Sequence, residues 1–187
     1  MTCIVGYIDD DSTVWMGGDS ASVDEATSMT CVMDKVFSLQ RKMLIGYAGS
    51  WRDMQLFKYS LKLPKHPEGI STHEYLCTVF VDEVLNLLGA QDRLAPNNEN
   101  CCGTDILIGY MGDLFEMEPN FQVMNYDRNY HATGCTREIV MGSMYAMENQ
   151  KISPRQKIKK ALRASCEFSG WVKPPFTIKS LKYGGIK

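Results

Sequence analysis

The sequence is poor in the residues that build metal centres. It has only three histidines, and none of its seven cysteines forms a CxxC pair. A closed structural zinc site needs four clustered ligands, which often include such pairs. We therefore predict no metal site and no cofactor. The odd number and irregular spacing of the cysteines indicate reduced thiols in a cytoplasmic protein. The cysteines are Cys3, Cys31, Cys77, Cys101, Cys102, Cys135 and Cys166.

The chain also lacks an excess of basic residues and a long apolar run. Twenty lysines and arginines stand against 22 aspartates and glutamates, which gives a net charge of -2. Phosphate binding needs a basic face, so we predict no nucleic-acid partner. No apolar stretch approaches the ~20 residues that span a bilayer. The first apolar residues run directly into three aspartates at positions 9–11, which does not resemble a signal peptide. We therefore expect no membrane partner.

Apolar residues are plentiful, and their periodicity predicts the fold. The chain has 187 residues, 44% of them hydrophobic, which suits one domain spanning residues 1–187. Predicted strands cover 3–8, 13–16, 32–39, 43–48, 105–110, 113–117, one or two segments between 122 and 133, and 176–181. Predicted helices cover 50–61, 71–89, 136–149 and 153–168.

Strands and helices are segregated along the chain and do not alternate. The order is strands, two helices, strands, two helices and a final strand. A parallel doubly wound sheet would alternate strands with helices, so it is disfavoured. Two stacked antiparallel sheets with a helix pair on each outer face would bury every apolar face. We therefore predict an α+β fold, a four-layer α-β-β-α sandwich.

Thr2 is the first residue with catalytic potential. Removal of Met1 would leave Thr2 with a free α-amine beside its own hydroxyl. An α-amino group has a pKa of about 7.7–8.0, so near neutral pH it can act as the base for that hydroxyl. Many proteins begin with Met-Thr, and Thr2 alone therefore carries no weight.

Three further positions could complete a site around Thr2. Asp19 follows Gly17-Gly18, and glycines permit the close backbone approach that would bring this carboxylate near the first strand. Lys35 lies in a mostly apolar strand, and if it points inward it needs a partner. A buried lysine beside the Thr2 amine would favour the neutral amine by like-charge repulsion. Gly49 lies where a strand gives way to a helix, and free N–H groups there can stabilise an oxyanion.

Each of these positions also has an ordinary structural explanation. Asp19 could be a turn aspartate, and Lys35 could face water at a strand edge. Gly49 could belong to a simple turn before a helix capped by Ser50. Only the combination separates the catalytic interpretation from these alternatives.

Taken together, the order and spacing of these residues resemble those of proteasome β-subunits and the bacterial HslV peptidase. Lys35 and Gly49 keep the family's fourteen-residue separation. Weaker similarities continue along the chain to Ser169-Gly170. The segments that carry the resemblance are Thr2-Cys3-Ile4-Val5, Gly17-Gly18-Asp19, Asp34-Lys35-Val36, Ala48-Gly49-Ser50, Asp105–Tyr110 with Gly112-Asp113, and Thr133-Gly134-Cys135.

The resemblance implies an N-terminal nucleophile hydrolase that cleaves peptide bonds. Thr2 would be the nucleophile and form an acyl-enzyme, Asp19 and Lys35 its charged surroundings, and Gly49 a donor to the oxyanion. It also implies a homo-oligomeric ring that encloses the sites, a polypeptide substrate and an ATP-dependent unfoldase partner.

The chain departs from the family pattern at two supporting positions. The family's serine before the third helix is Cys135 here, and the aspartate three residues before Ser169 is Cys166. Glu167 could supply the missing carboxylate if the helix register shifts by one residue. Cys135, Glu167 and Ser169 are therefore the predicted supporting residues. Thiols are weak hydrogen-bond partners compared with hydroxyls or carboxylates.

Two other functions remain open from the sequence. Cys135 and Cys166 would suit a catalytically weakened or inactive relative that serves in assembly or as a scaffold. An N-terminal nucleophile amidase acting on a small molecule would share the same motifs. Among alternative nucleophiles, Cys3 should point away from Thr2 because neighbouring strand residues face opposite sides. Cys101 and Cys102 are expected to be surface thiols in a loop.

Overall fold

Two stacked antiparallel sheets form the centre of the protein. The structure, a computed structural model, describes residues 1–23, 28–93 and 104–184. One sheet has four strands in the order β10-β1-β2-β11, and the other has five in the order β5-β6-β7-β8-β9. A short hairpin, β3-β4, stands apart. The strands are β1 Cys3–Ile8, β2 Thr13–Gly18, β3 Ala21–Val23, β4 Ser28–Thr30, β5 Val36–Leu39, β6 Met43–Ala48, β7 Asp105–Tyr110, β8 Asp113–Met117, β9 Val123–Asn125, β10 Tyr130–Gly134 and β11 Thr177–Lys182.

Helices cover the outer face of each sheet. Those before β7 pack on the five-stranded sheet, and those after β10 pack on the four-stranded sheet. The helices are α1 Trp51–Tyr59, α2 Thr72–Tyr75, α3 Val81–Gly89, α4 Arg137–Ala146 and α5 Pro154–Phe168. Leu76–Phe80 forms a π-helical segment that joins α2 to α3.

Polar residues at the predicted helix starts cap the helices. The Ser50 hydroxyl accepts a hydrogen bond from the Asp53 N–H at the start of α1. Ser153 and Gln156 form a reciprocal capping box at the start of α5, where Pro154 suits the first helical position because its nitrogen has no hydrogen to leave unpaired.

Apolar side chains fill three layers between these elements. The middle layer lies between the sheets and consists of Ile4, Val14, Met16, Val36, Leu44, Ala48, Leu107 and Leu114. The two outer layers lie between each sheet and its helices. The predicted four-layer α-β-β-α sandwich is confirmed.

Some predicted boundaries are wrong. The strand predicted over 32–39 begins only at Val36, because residues 32–35 follow an irregular path. Val32 is fully exposed, and the Asp34 carboxylate accepts a hydrogen bond from Thr177 in β11. Lys35 therefore precedes the strand in which it was predicted. The hairpin β3-β4 was not predicted, because its strands are short and largely polar. The loop cysteines Cys101 and Cys102 lie outside the described residues.

Candidate active site

Asp19 and Lys35 form a buried ion pair beside the start of β1. Lys35 Nζ lies 3.1 Å from both carboxylate oxygens of Asp19, and the two residues are 2% and 1% exposed. The Asp19 carboxylate also accepts hydrogen bonds from the Cys3 N–H at 2.9 Å and the Ala21 N–H at 2.8 Å. The buried lysine therefore has the partner that its burial requires, and the aspartate lies where the glycine pair was expected to bring it.

Lys35 also contacts the peptide bond between Met1 and Thr2. Its ammonium donates a hydrogen bond to the Met1 carbonyl at 3.1 Å. Thr2 is buried, whereas Met1 is 56% exposed. Loss of Met1 would therefore create a new amine next to an ammonium that is already paired with Asp19. Repulsion between like charges disfavours protonation of such an amine, which helps it to act as a base.

The junction between β10 and α4 holds the Thr2 backbone from the other side. The Cys135 N–H donates to the Thr2 carbonyl at 2.9 Å, and the Cys135 thiol lies 3.3 Å from the same oxygen. Gly134 has φ +97°, and a Cβ atom there would stand 2.2 Å from the Thr2 carbonyl oxygen. Only glycine lets this junction approach Thr2 so closely.

Replacing Gly134 with alanine should destabilise the protein by roughly 2 kcal/mol or more, because the methyl group meets backbone and the dihedral angle is strained. Gly142→Ala is the matched control. Gly142 lies inside α4, where an added Cβ meets no atom within 4 Å, so alanine there should stabilise by about 0.5–1 kcal/mol. Urea unfolding of both variants measures the difference. Equal midpoints would contradict the close approach at Gly134.

A cleft of about 360 Å³ opens beside Thr2. It is lined by Met1, Thr2, Ala48, Gly49, Asp105, Gly134, Cys135 and Arg137. Gly49 connects β6 to α1 and is exposed to this cleft. A much smaller cavity, about 10 Å³, lies on the other side of Thr2 against Tyr47, Trp51 and Met54. A carbonyl group bound next to the Thr2 hydroxyl would therefore lie near the Gly49 backbone, as an oxyanion donor requires.

One acidic and one basic residue, Asp105 and Arg137, line the cleft. Burial raises the pKa of Asp105, and repulsion from Glu116 and Glu118 adds to this, whereas Arg137 opposes it. Sequence reasoning did not predict Asp105 or Arg137 as cleft residues. Each adjoins a segment that carried the resemblance, but neither has a partner residue in the sequence that would point to the cleft.

Glu116 lies near Asp105 and accepts hydrogen bonds from two aromatic side chains. His131 Nε2 lies 2.8 Å and the Tyr126 hydroxyl 2.9 Å from its Oε2 atom. Burial raises the pKa of Glu116, but the hydrogen bond and charge of His131, together with the hydrogen bond from Tyr126, leave the pKa below its ordinary value. The carboxylate stays ionised between the two sheets.

The structure brings Cys135 to Thr2 but places the other two predicted supporting residues elsewhere. Glu167 is exposed and lines a separate groove with Cys166, between α5 and residues 174–178. The Ser169 hydroxyl accepts a hydrogen bond from the Trp171 N–H. Neither Glu167 nor Ser169 is among the residues that line the two cavities beside Thr2. A register shift that brings Glu167 to the site is therefore not observed.

Cys3 points away from the cleft, as strand alternation predicted. Its thiol is buried among the side chains between the four-stranded sheet and α4 and α5. Burial raises its pKa to about 11. A thiol with that pKa is protonated near neutral pH and is a poor nucleophile.

Neither a metal centre nor a membrane span is evident in the parts that the structure describes. Within residues 1–23, 28–93 and 104–184, no group of three or more His, Cys, Asp or Glu side chains could hold a metal ion. Across the same residues, no helix has the length and apolar composition needed to cross a bilayer.

The four-layer α-β-β-α sandwich is the fold of the N-terminal nucleophile hydrolases. The family model for proteasome subunits matches residues 2–168, and the chain belongs to that family. No curated protein matches the chain. The comparison with solved structures therefore gives the more detailed information on the fold.

Three similar solved structures come from two organisms. The Thiobacillus denitrificans protein BPH has a TM-score of 0.81 and 14% identity, with 98% of this chain and 99% of that chain covered. The same protein in complex with epoxomicin has a TM-score of 0.81 and 13% identity, with coverage of 97% and 100%. Eukaryotic HslV from Trypanosoma brucei has a TM-score of 0.70 and 15% identity, with coverage of 97% and 99%. At these identities the similarity shows a shared fold.

Proposed function

We propose that the protein is a threonine-type peptidase that uses the hydroxyl of Thr2 after Met1 is removed. The observation that carries this proposal is the Lys35 ammonium, which is paired with buried Asp19 and hydrogen-bonded to the Met1 carbonyl. In this arrangement a buried cation lies next to the position where the new α-amine of Thr2 would appear. Membership in the proteasome subunit family and the epoxomicin complex of the Thiobacillus denitrificans protein support the same proposal.

The proposed reaction needs only the residues already described. The Thr2 amine accepts the proton of the Thr2 hydroxyl as its oxygen attacks the carbonyl carbon of a peptide bond. The Gly49 N–H stabilises the oxyanion that forms. The carbon–nitrogen bond then breaks, the leaving amine takes the proton, and an ester to Thr2 remains. Water, activated by the same amine, hydrolyses this ester and restores the hydroxyl.

Family membership also supports an assembled form. We propose a homo-oligomeric ring that encloses the Thr2 sites and receives polypeptide from an ATP-dependent unfoldase. A ring requires a head-to-tail contact that closes by rotation, so each copy presents two different surfaces to its neighbours.

Labelling with epoxomicin tests the proposed function. Intact mass should first show the loss of one methionine, and the processed protein should then form one covalent adduct on the peptide that begins with Thr2. The control is the same chain with an N-terminal extension before Thr2. The Thr2 nitrogen is then part of a peptide bond and not a free amine, so this chain should not react. Light scattering on the same sample should show a multiple of the 21.1 kDa chain.

The alternatives predict different outcomes of this experiment. Processed protein that neither reacts nor cleaves peptides would support the scaffold function, which is motivated by the cysteines at positions 135 and 166. A processed protein that cleaves small amides but no peptide would support the amidase. A single 21.1 kDa species in solution would contradict the ring.

A further inference from the structure

Two buried hydroxyl groups meet beneath the start of β1. The hydroxyls of Thr136 and Ser165 are hydrogen-bonded to each other, and the two residues are 5% and 0% exposed. Thr136 immediately precedes α4, and Ser165 lies in the last turn of α5. The Cys3 thiol lies beside both hydroxyls. Three separate segments of the chain are therefore joined at one polar point inside an apolar layer.

This point lies one residue from the proposed nucleophile in β1 and one residue from a direct contact of that nucleophile before α4. Cys3 follows Thr2 in the chain. Thr136 follows Cys135, whose N–H and thiol both contact the Thr2 carbonyl. A movement of Thr136 would therefore move Cys135, and with it the carbonyl of Thr2.

The register of α5 explains why Ser165 occupies this position. The buried face of the helix includes Ile158, Ala161, Leu162 and Ser165, which follow three- and four-residue steps. Successive residues are about 100° apart around the helix axis, so Glu167 faces solvent when Ser165 faces inward, and Cys166 lies partly buried at the edge of the apolar layer. Cys166 and Glu167 both line the groove next to Pro174, Pro175 and Phe176.

We infer that Ser165, through Thr136, is the positioning residue that α5 contributes to the Thr2 site. The polar group that α5 turns inward is thus a neutral hydroxyl, whereas the family resemblance led us to expect a carboxylate from this helix. This inference rests on the proposed function and extends it. Ser165 contacts neither Thr2 nor the cleft, so its effect passes through Thr136 and Cys135 to the Thr2 backbone. A misplacement of about 1 Å at a reacting group can cost about 10²-fold in rate.

A matched pair of Thr136 variants tests this inference. Thr136→Val keeps the shape of the side chain and removes the hydroxyl, whereas Thr136→Ser keeps the hydroxyl. We expect Thr136→Val and Ser165→Ala to lower kcat by about 10-fold or more with little change in KM, because positioning acts on the chemical step. Thr136→Ser should retain most of the activity. Cys166→Ala, one position along the same helix, serves as the control and should behave as the unmodified protein does.

A second measurement does not depend on activity. The Cys135 N–H donates to the Thr2 carbonyl, and its hydrogen exchange reports how firmly that contact is held. Exchange should be about 10-fold faster in Thr136→Val and Ser165→Ala than in Thr136→Ser. Melting temperatures should be measured in parallel, because a general loss of stability would accelerate exchange in both sheets and not at Cys135 alone.

The outcomes separate this inference from the proposed function. If the unmodified protein neither reacts with epoxomicin nor cleaves peptides, the proposed function fails, and Cys135 exchange alone decides whether Ser165 positions Thr2. If the unmodified protein is active and Ser165→Ala has the same kcat and the same Cys135 exchange, the inference is wrong. A change in KM alone would also overturn it.

Discussion

Replacing Thr2 with alanine should abolish peptide hydrolysis, with a loss in kcat of about 10⁴-fold or more, because removal of a nucleophile eliminates the covalent pathway. Met1 is removed when the second residue is small. Alanine is smaller than threonine, so Met1 should still be removed from the variant. The loss would then arise from the missing hydroxyl and not from a failure of processing. Turnover of a fluorogenic peptide, together with the intact mass of the variant, measures both effects.

Thr2→Ser is the matched control, because serine keeps a hydroxyl and a free α-amine on the same residue. It should retain a substantial fraction of the activity of the unmodified protein. If Thr2→Ala kept the same activity as Thr2→Ser, the nucleophile would be another group. The Cys135 thiol, 3.3 Å from the Thr2 carbonyl oxygen, would then be the first to examine.

Replacing Lys35 with methionine should cause the largest loss of stability. The substitution keeps a similar chain length but leaves the Asp19 carboxylate buried without its cation. Removing one partner of a buried ion pair costs about 3–5 kcal/mol. In a protein of this size each kcal/mol lowers the melting temperature by about 2–4 °C, so we expect a fall of about 10 °C. Calorimetry of the purified variant measures it.

Lys179→Met provides the control for Lys35→Met. Lys179 pairs with Asp34 at 3.2 Å, but the side chains of both residues are more than a third exposed. An ion pair in that setting contributes only about 0–1 kcal/mol, so the melting temperature should change little. Equal changes in the two variants would show that the Asp19–Lys35 pair is not held in a buried environment.

Sequence reasoning predicted the layers of the fold because periodicity reflects which face of each element is buried. The alternation in β1 correctly separated Thr2 from Cys3, and the serines before α1 and α5 marked helix starts. It failed at residues 32–35, where apolar Val32 and Met33 suggested a strand. There a side-chain contact between Asp34 and Thr177, 143 residues apart, keeps the chain irregular. Local patterns contain no information about such a partner.

The central part of the site was also predictable, but its periphery was not. Asp19, Lys35 and Gly49 are marked by short motifs at characteristic separations, and the structure brings all three to Thr2. The supporting residues depend on the rotation of α5 about its axis. Ser165 and Glu167 are two residues apart, and the rotation of the helix decides which of them faces the core. Motif spacing favoured Cys166 and Glu167, whereas packing selects Ser165.

The position of Trp51 makes its fluorescence sensitive to changes around Thr2. Its indole ring lies 5.6 Å from the Lys35 ammonium and lines the small cavity against Thr2. The chain has three tryptophans. Trp15 donates a hydrogen bond to Asp9 in a distant turn, and Trp171 is 41% exposed after α5. Indole emission depends on nearby charge, so the protein carries an intrinsic optical reporter next to its proposed nucleophile.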